Sequence, residues 1–277
     1  MRSDHGTIPA GCGSEVDTPL ALRERLGNSA GGDPTANLGE RAYQRIRADI
    51  LFYQLPPGSR VSEASLTARF NLRQAAVRSA LVRLVQEGLI DKSDERSPRV
   101  APLTLKDVRD IYALRMLLEP RAAELAAALG VAPAILDQLR RISQSRYELT
   151  SHEELVAFLK ANREFNLLIA SCAGNARLVS TITHLQDLTL RVLYVGIRSL
   201  NVSEWFQTTH LQIVDAIASG DGGAAAELWT TDLRYGERLI SDALVTLPEV
   251  SEVNLAGSSF GADYAAAPRS SRRTGGD

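Results

Sequence analysis

The chain has 277 residues, 44% of them hydrophobic and 23% charged, with a formal net charge of −2. This is the composition of an ordinary globular protein with room for two domains; it excludes low-complexity, collagen-like and uniformly basic chains. No apolar run approaches a membrane span, the N-terminus lacks a signal core, and the two cysteines, Cys12 and Cys172, form no disulfide framework, so a reducing cytoplasm is the expected compartment.

Residues 1–37 are rich in Gly, Pro, Ser, Asp and Thr without an apolar period and read as a disordered tail, as do residues 249–277. Between them the chain divides near Pro102, giving expected domains at 38–103 and 104–248. Charge follows the same division. Residues 38–103 hold 11 Lys and Arg against 7 Asp and Glu, a net of +4, which leaves −6 for the remainder of the −2 chain. A basic module beside an acidic one implies that only the first meets phosphate.

A first helix is expected over 39–51, with Ala42, Ile46 and Ile50 on one face. Pro56-Pro57-Gly58 forces a turn. Ser62 is suited to cap a short helix ending near Phe70, and Asn71 to take a left-handed conformation after it. The next helix spans 74–87, burying Val77, Ala80, Leu81 and Leu84, and Gly88 ends it. Leu89-Ile90 and Arg99-Val100-Ala101 read as two strands, with residues 93–98 as the tip between them.

Two short helices across a tight break, followed by a basic hairpin, make a winged helix-turn-helix, a module that lays its second helix in the DNA major groove. On that helix Ala75, Ser79 and Val82 leave room for close approach. Arg78 suits guanine O6 and N7, with roughly tenfold to a hundredfold discrimination, and Gln74 suits adenine. Arg73 sits where it can grip phosphate with help from the helix start. Arg96 and Arg99 in the wing reach phosphate or the minor groove, or are merely solvated.

After Pro102 the pattern is helical throughout. TLKD at 104–107 reads as a capping box, SHEE at 151–154 as another helix start, and Gly130, Gly174 and GDGG at 220–223 as breaks. Helices are expected at 105–129, 133–148, 152–173, 176–200, 203–219 and 222–245. The fold class is therefore mainly α: an N-terminal winged helix-turn-helix with a small β-wing and a C-terminal all-α antiparallel helical bundle.

The run LPPGSRVSEASLTARFNLRQAAVRSALVRLVQEGLI, followed by VAPLT, resembles the winged-helix domain of the GntR family of bacterial repressors. Two departures stand out. Arg73-Gln74-Ala75-Ala76 replaces the family's serine-arginine-threonine-proline, and the glycine usual near Ser97 is missing. The bundle resembles the ligand domain of the FadR subfamily, through DVRDIYALRMLLEPRAAELA, REFNLLIASCAGNARL and THLQIVDAI.

The resemblance implies a homodimer on a palindromic operator, a small-molecule effector such as an organic acid or acyl compound, and, in many members, a divalent metal on one aspartate and three histidines. Those four positions match Asn162, Asn166, His210 and Asp232. Only His210 keeps the usual ligand, and carboxamides are poor ligands for zinc or nickel. The expectation is a polar effector site without metal, with His210 and Asp232 as weak candidates for one. A metal-dependent sensor is the alternative.

Two roles fit Arg115: holding an effector carboxylate, or pairing with Glu119 one turn on. Tyr194, Arg191 and Trp229 either line the cavity or pack the core. No nucleophile motif or phosphate loop supports an enzyme, although a His-Asp pair could do acid-base work.

Overall fold

The computed structural model describes residues 34–93, 98–198 and 200–246. Of the tails expected at 1–37 and 249–277, residues 1–33 and 249–277 lie outside the described residues, as does Arg96.

Helix α1, Pro34–Leu51, begins ahead of the expected start at 39, so residues 34–37 are helical rather than tail. Proline is well placed there, because the first helical residue needs no amide proton. Ala42, Ile46 and Ile50 are fully buried. Ser62 caps α2, Glu63–Phe70, by accepting from the Ser65 amide, and Ser65 returns the bond to the Ser62 amide. Asn71 then turns the chain at φ 51, ψ 51, a left-handed conformation that asparagine tolerates.

Helix α3, Gln74–Gln86, starts at Arg73 without a side-chain cap. What holds it is its apolar stripe: Val77, Ala80 and Leu84 are buried, while Leu81 is half-buried. Burying a leucine such as Leu84 contributes roughly 1.5–3 kcal/mol. Gly88, at φ 70, ends the helix.

The wing is a two-stranded sheet of β1, Ile90–Asp91, and β2, Arg99–Val100, pairing Ile90 with Val100 and Asp91 with Arg99. Leu89 and Ala101 fall just outside the strands, but the Ala101 amide donates to the Leu89 carbonyl at 3.0 Å. The loop after Pro57 adds a third rung. Val100 donates to the Ser59 carbonyl, Val61 donates to the Pro98 carbonyl, and Arg60 bridges Arg99.

The bundle follows as α4, Leu105–Leu129; α5, Pro133–Ser143; α6, His152–Ser171; α7, Ala176–Ile197; α8, Ser203–Ala218; and α9, Gly222–Thr246. Thr104 and Asp107 form the expected capping box, and Ser151 accepts from the Glu154 amide. Helix α5 ends at 143 instead of 148. The chain turns there so that the buried Tyr147 hydroxyl can donate to the Leu200 carbonyl and accept from the Val202 amide. Helices α4 and α9 pack closely because α9 carries Gly236, where a Cβ would lie 2.8 Å from the Tyr112 hydroxyl.

The winged unit rests on α7. Asp187 there meets Arg47 of α1 at 2.9 Å and Arg163 of α6 at 2.6 Å. Tyr53 stacks on Tyr194 at 5.3 Å, and Arg191 donates to the Ala101 carbonyl in the segment joining the domains. Arg191 and Tyr194 thus belong to the domain junction.

Candidate functional site

The outer face of α3 presents Arg73, Gln74, Ala75, Arg78, Ser79 and Val82 to solvent. Arg78 and Gln74 converge on one carboxylate of α2. Arg78 gives Nε to Glu63 Oε1 at 2.9 Å and Nη2 to Oε2 at 3.0 Å, while Gln74 Nε2 reaches Oε2 at 3.1 Å. These bonds hold the Glu63 carboxyl below its usual range and raise Arg78. Both expected base-reading groups are thus held side by side by one surface carboxylate.

Arg73 is exposed with no side-chain hydrogen bond among the described residues. Arg99 donates to the Gly58 carbonyl at 2.9 Å and so ties the wing to the preceding loop while remaining exposed. Arg83 lies 3.5 Å over the Tyr43 ring and pairs with Glu40 and Glu87, so it braces α1 against α3.

The bundle interior holds a second polar set. Glu119 of α4 accepts four bonds: Arg115 Nε at 2.8 Å and Nη2 at 3.0 Å, Gln186 Nε2 at 2.8 Å, and Trp229 Nε1 at 3.0 Å. Of its two expected roles, Arg115 takes the ion pair with Glu119, and Trp229 is a buried donor to the same carboxylate. Burial alone would lower the Arg115 pKa. The carboxylate charge of Glu119, its hydrogen bonds to the guanidinium and the charge of Asp232 outweigh it and keep Arg115 firmly protonated. Nothing in single-residue patterning points to Gln186; it meets Glu119 across 67 residues of chain.

His210 is buried, stacked on Phe165 with ring centroids 3.9 Å apart and Phe206 edge-on at 5.4 Å. Desolvation pulls its pKa down to about 3, so the ring is neutral at physiological pH. Phe165 also faces Trp229 at 6.0 Å, which joins α6, α8 and α9 in one aromatic layer. Asn162 and Asn166 flank Phe165 on α6; both are buried, and Asn162 Oδ1 has no partner. Asp232 lies one turn beyond Trp229 and accepts from Trp205 Nε1 at 3.2 Å. The residue is partly exposed, yet desolvation of its carboxyl raises its pKa to about 6.

These groups do not suit a transition metal. The set offers two neutral carboxamides, a single imidazole pressed flat against a phenyl ring, and one carboxylate. Among the described residues no three His, Cys, Asp or Glu side chains cluster closely enough to hold an ion. Zinc and its neighbours take imidazole, thiolate and carboxylate.

Two family models match the chain: "Bacterial regulatory proteins, gntR family" over residues 38–100 and "FCD domain" over residues 110–235. The HTH-type transcriptional repressor RspR of Escherichia coli K12 is 26% identical over 73% of this chain and 88% of its own length. The HTH-type transcriptional regulator BphR of Paraburkholderia xenovorans LB400 is 31% identical over 70% of this chain and 83% of its own. The crystal structure of a putative transcriptional regulator from Rhodococcus sp. RHA1 superposes with a TM-score of 0.60 at 23% identity, covering 74% of this chain and 98% of that one, and so shares the fold.

Proposed function

The chain belongs to the GntR family of bacterial regulatory proteins, with the FCD ligand-binding domain of the FadR-like subfamily, and from that premise we propose a dimeric repressor whose hold on a palindromic operator is set by a small molecule in the bundle. The observation that carries this reading is the exposed pair of Gln74 and Arg78 on α3, aligned by Glu63 with their donors outward from the core.

In DNA, Arg78 leaves Glu63 for a guanine edge and Gln74 turns to an adjacent adenine. Arg73 supplies a phosphate contact, and Arg99 with Arg96 supports the wing on the backbone. Two copies reading two half-sites give the palindrome. On α4, Leu114 and Leu117 are 48% and 71% exposed, one turn apart, and form part of the dimer contact.

The effector site comprises Asn162, Asn166, His210 and Asp232, without metal, and Arg115 borders it while paired to Glu119. Its occupancy reaches the winged unit through Arg163, next to Asn162, then Asp187 and Arg47. Coupling between effector and operator is reciprocal, and roughly 1–3 kcal/mol makes a switch. We assign no catalysis to the bundle, because a neutral imidazole with a pKa near 3 is a poor proton carrier at neutral pH. No described helix is long and apolar enough to cross a membrane, and the cytoplasm is where an operator is met.

Gel retardation of the full chain on the DNA upstream of its own gene tests the proposal. A specific complex that competitor DNA does not dissolve supports it. Equal binding to random fragments overturns it.

A further inference from the structure

We infer that Tyr53 is the coupling residue of this molecule: its backbone is held in a conformation that tyrosine disfavours so that its ring can fasten the winged unit to α7, and the winged unit follows the position of that helix. The backbone is the first observation. Apart from glycines, only Tyr53 and Asn71 take positive φ among the described residues. Asparagine is at home in the left-handed region, whereas an aromatic residue is not, and glycine would adopt the φ of 59° at position 53 without steric cost. The turn itself is set locally, because the Leu55 amide donates to the Asp49 carbonyl at 2.8 Å as the chain leaves α1. Nothing in that turn requires a tyrosine.

The ring accounts for it. Tyr53 stacks on Tyr194 at 5.3 Å with the two planes 18° apart, and Phe52 meets the same ring edge-on at 6.3 Å. On the bundle side Tyr194 is steadied by His152, the first residue of α6, whose Nδ1 lies 3.1 Å from its hydroxyl. Asp187, Arg191 and Tyr194 follow one another at spacings of four and three and so share one face of α7. That face receives Arg47 of α1, the Ala101 carbonyl of the joining segment and Tyr53. A second cost is accepted at the same place. Arg191 is only 5% exposed, makes no ion pair among the described residues and leaves its Nε without a partner. Desolvation pulls its pKa down. A strained backbone and an under-satisfied buried cation meet at the one contact that joins the two units, which is where such costs serve a mechanical purpose. A shift of α6 or α7 moves Tyr194, Tyr53 carries the shift into α1, and Arg83 braces α1 against the DNA-reading α3.

The joint is the same whatever the bundle binds, so its test needs neither effector nor DNA. The full-length protein is compared with Tyr53→Gly, Tyr53→Ala, Tyr194→Ala and Tyr194→Phe by denaturant unfolding and by small-angle X-ray scattering. Tyr53→Gly separates the backbone from the ring. Its folded-to-unfolded ratio should exceed that of Tyr53→Ala by about threefold or more, because glycine keeps the left-handed turn freely and alanine does not. Its scattering should nevertheless show a larger radius of gyration and a longer maximum dimension than the unaltered protein, since the winged unit no longer rests on α7. Tyr194→Ala leaves the α1 turn untouched and should open the joint in the same way, while Tyr194→Phe keeps the stack and should leave it closed. Unchanged scattering in either Tyr53→Gly or Tyr194→Ala overturns the inference. So does a Tyr53→Gly protein no more stable than Tyr53→Ala, or a Tyr194→Phe protein as open as Tyr194→Ala. Retardation of upstream DNA by the unaltered protein bears only on the regulator proposal, so the two failures are distinguishable.

Discussion

The same ion pair is built twice in this molecule. On the winged unit, Arg78 offers Nε and Nη2 to the two oxygens of Glu63; in the bundle, Arg115 does the same to Glu119. The side chains are 64% and 31% exposed in the first pair, against 5% and 1% in the second. Water can replace either partner of the surface pair, so in the proposed reading it is a latch that DNA opens. Nothing can replace Glu119 without leaving a buried charge bare, so the inner pair is a fixture. If that reading holds, identical chemistry serves recognition where it is wet and architecture where it is dry.

Glu119→Ala tests the fixture and carries the largest expected effect. It strands the Arg115 guanidinium and removes the acceptor from Gln186 and Trp229, so unfolding in denaturant should show a loss of about 3–5 kcal/mol. Glu63→Ala should leave the denaturation midpoint where it is. Equal effects from the two substitutions would erase the distinction between latch and fixture.

The latch itself is tested on DNA. Arg78→Ala should lower operator affinity roughly tenfold to a hundredfold while binding to random sequence stays nearly constant. Glu63→Ala frees the same guanidinium and should tighten the operator complex several-fold. Retardation across a competitor series reads both. An Arg78→Ala protein with undiminished preference would move base reading elsewhere on α3.

Local chemistry made most of the fold readable from sequence. Ser62, Thr104 and Ser151 mark helix starts because their hydroxyls meet orphan amides, and Gly88 marks an end because it takes positive φ. The winged unit and the bundle both follow from such signals, and so does the outward face of α3. What sequence did not reveal depends on distant partners. Gln186 and Trp229 reach Glu119 across 67 and 110 residues, and α5 stops short of the expected 148 so that Tyr147 can bond a loop more than fifty residues on. The α3 face also gave no hint that Glu63 holds both Gln74 and Arg78, since helix periodicity places residues on a face but not their partners across a turn.

A pH experiment separates the buried groups further. His210 has its pKa depressed from 6.5 to about 3, so the unfolded chain takes up a proton that the folded one refuses, and stability falls as pH drops below the unfolded value. Asp232 is raised from 3.8 to about 6, so the folded chain takes up the proton first, and stability rises as pH drops through that interval. Between pH 6 and pH 4 the two oppose each other. Asp232→Asn should expose the histidine contribution, steepening the acid loss by up to about 1.4 kcal/mol per pH unit, seen as melting temperatures across buffers. His210→Gln should have the opposite sign. Parallel curves for wild type and Asp232→Asn would mean that Asp232 titrates as an ordinary surface carboxyl.

The smallest expected effect sits where the two regions meet. Arg47 of the winged unit and Arg163 of α6 share Asp187, and all three side chains are only partly buried, at 14%, 11% and 24% exposure. Such a pair lies between latch and fixture, so a double-mutant cycle of Arg47→Ala with Asp187→Asn should give a coupling of about 0.5–1 kcal/mol in denaturant unfolding. That is little for stability but comparable to the low end of what an effector needs to bias DNA binding. The double variant should therefore keep its fold and its operator complex while losing part of the effector's influence on that complex. Strictly additive effects in the cycle would show that the domains merely touch at Asp187, and the signal would then have to pass through the stacked pair of Tyr53 and Tyr194 instead.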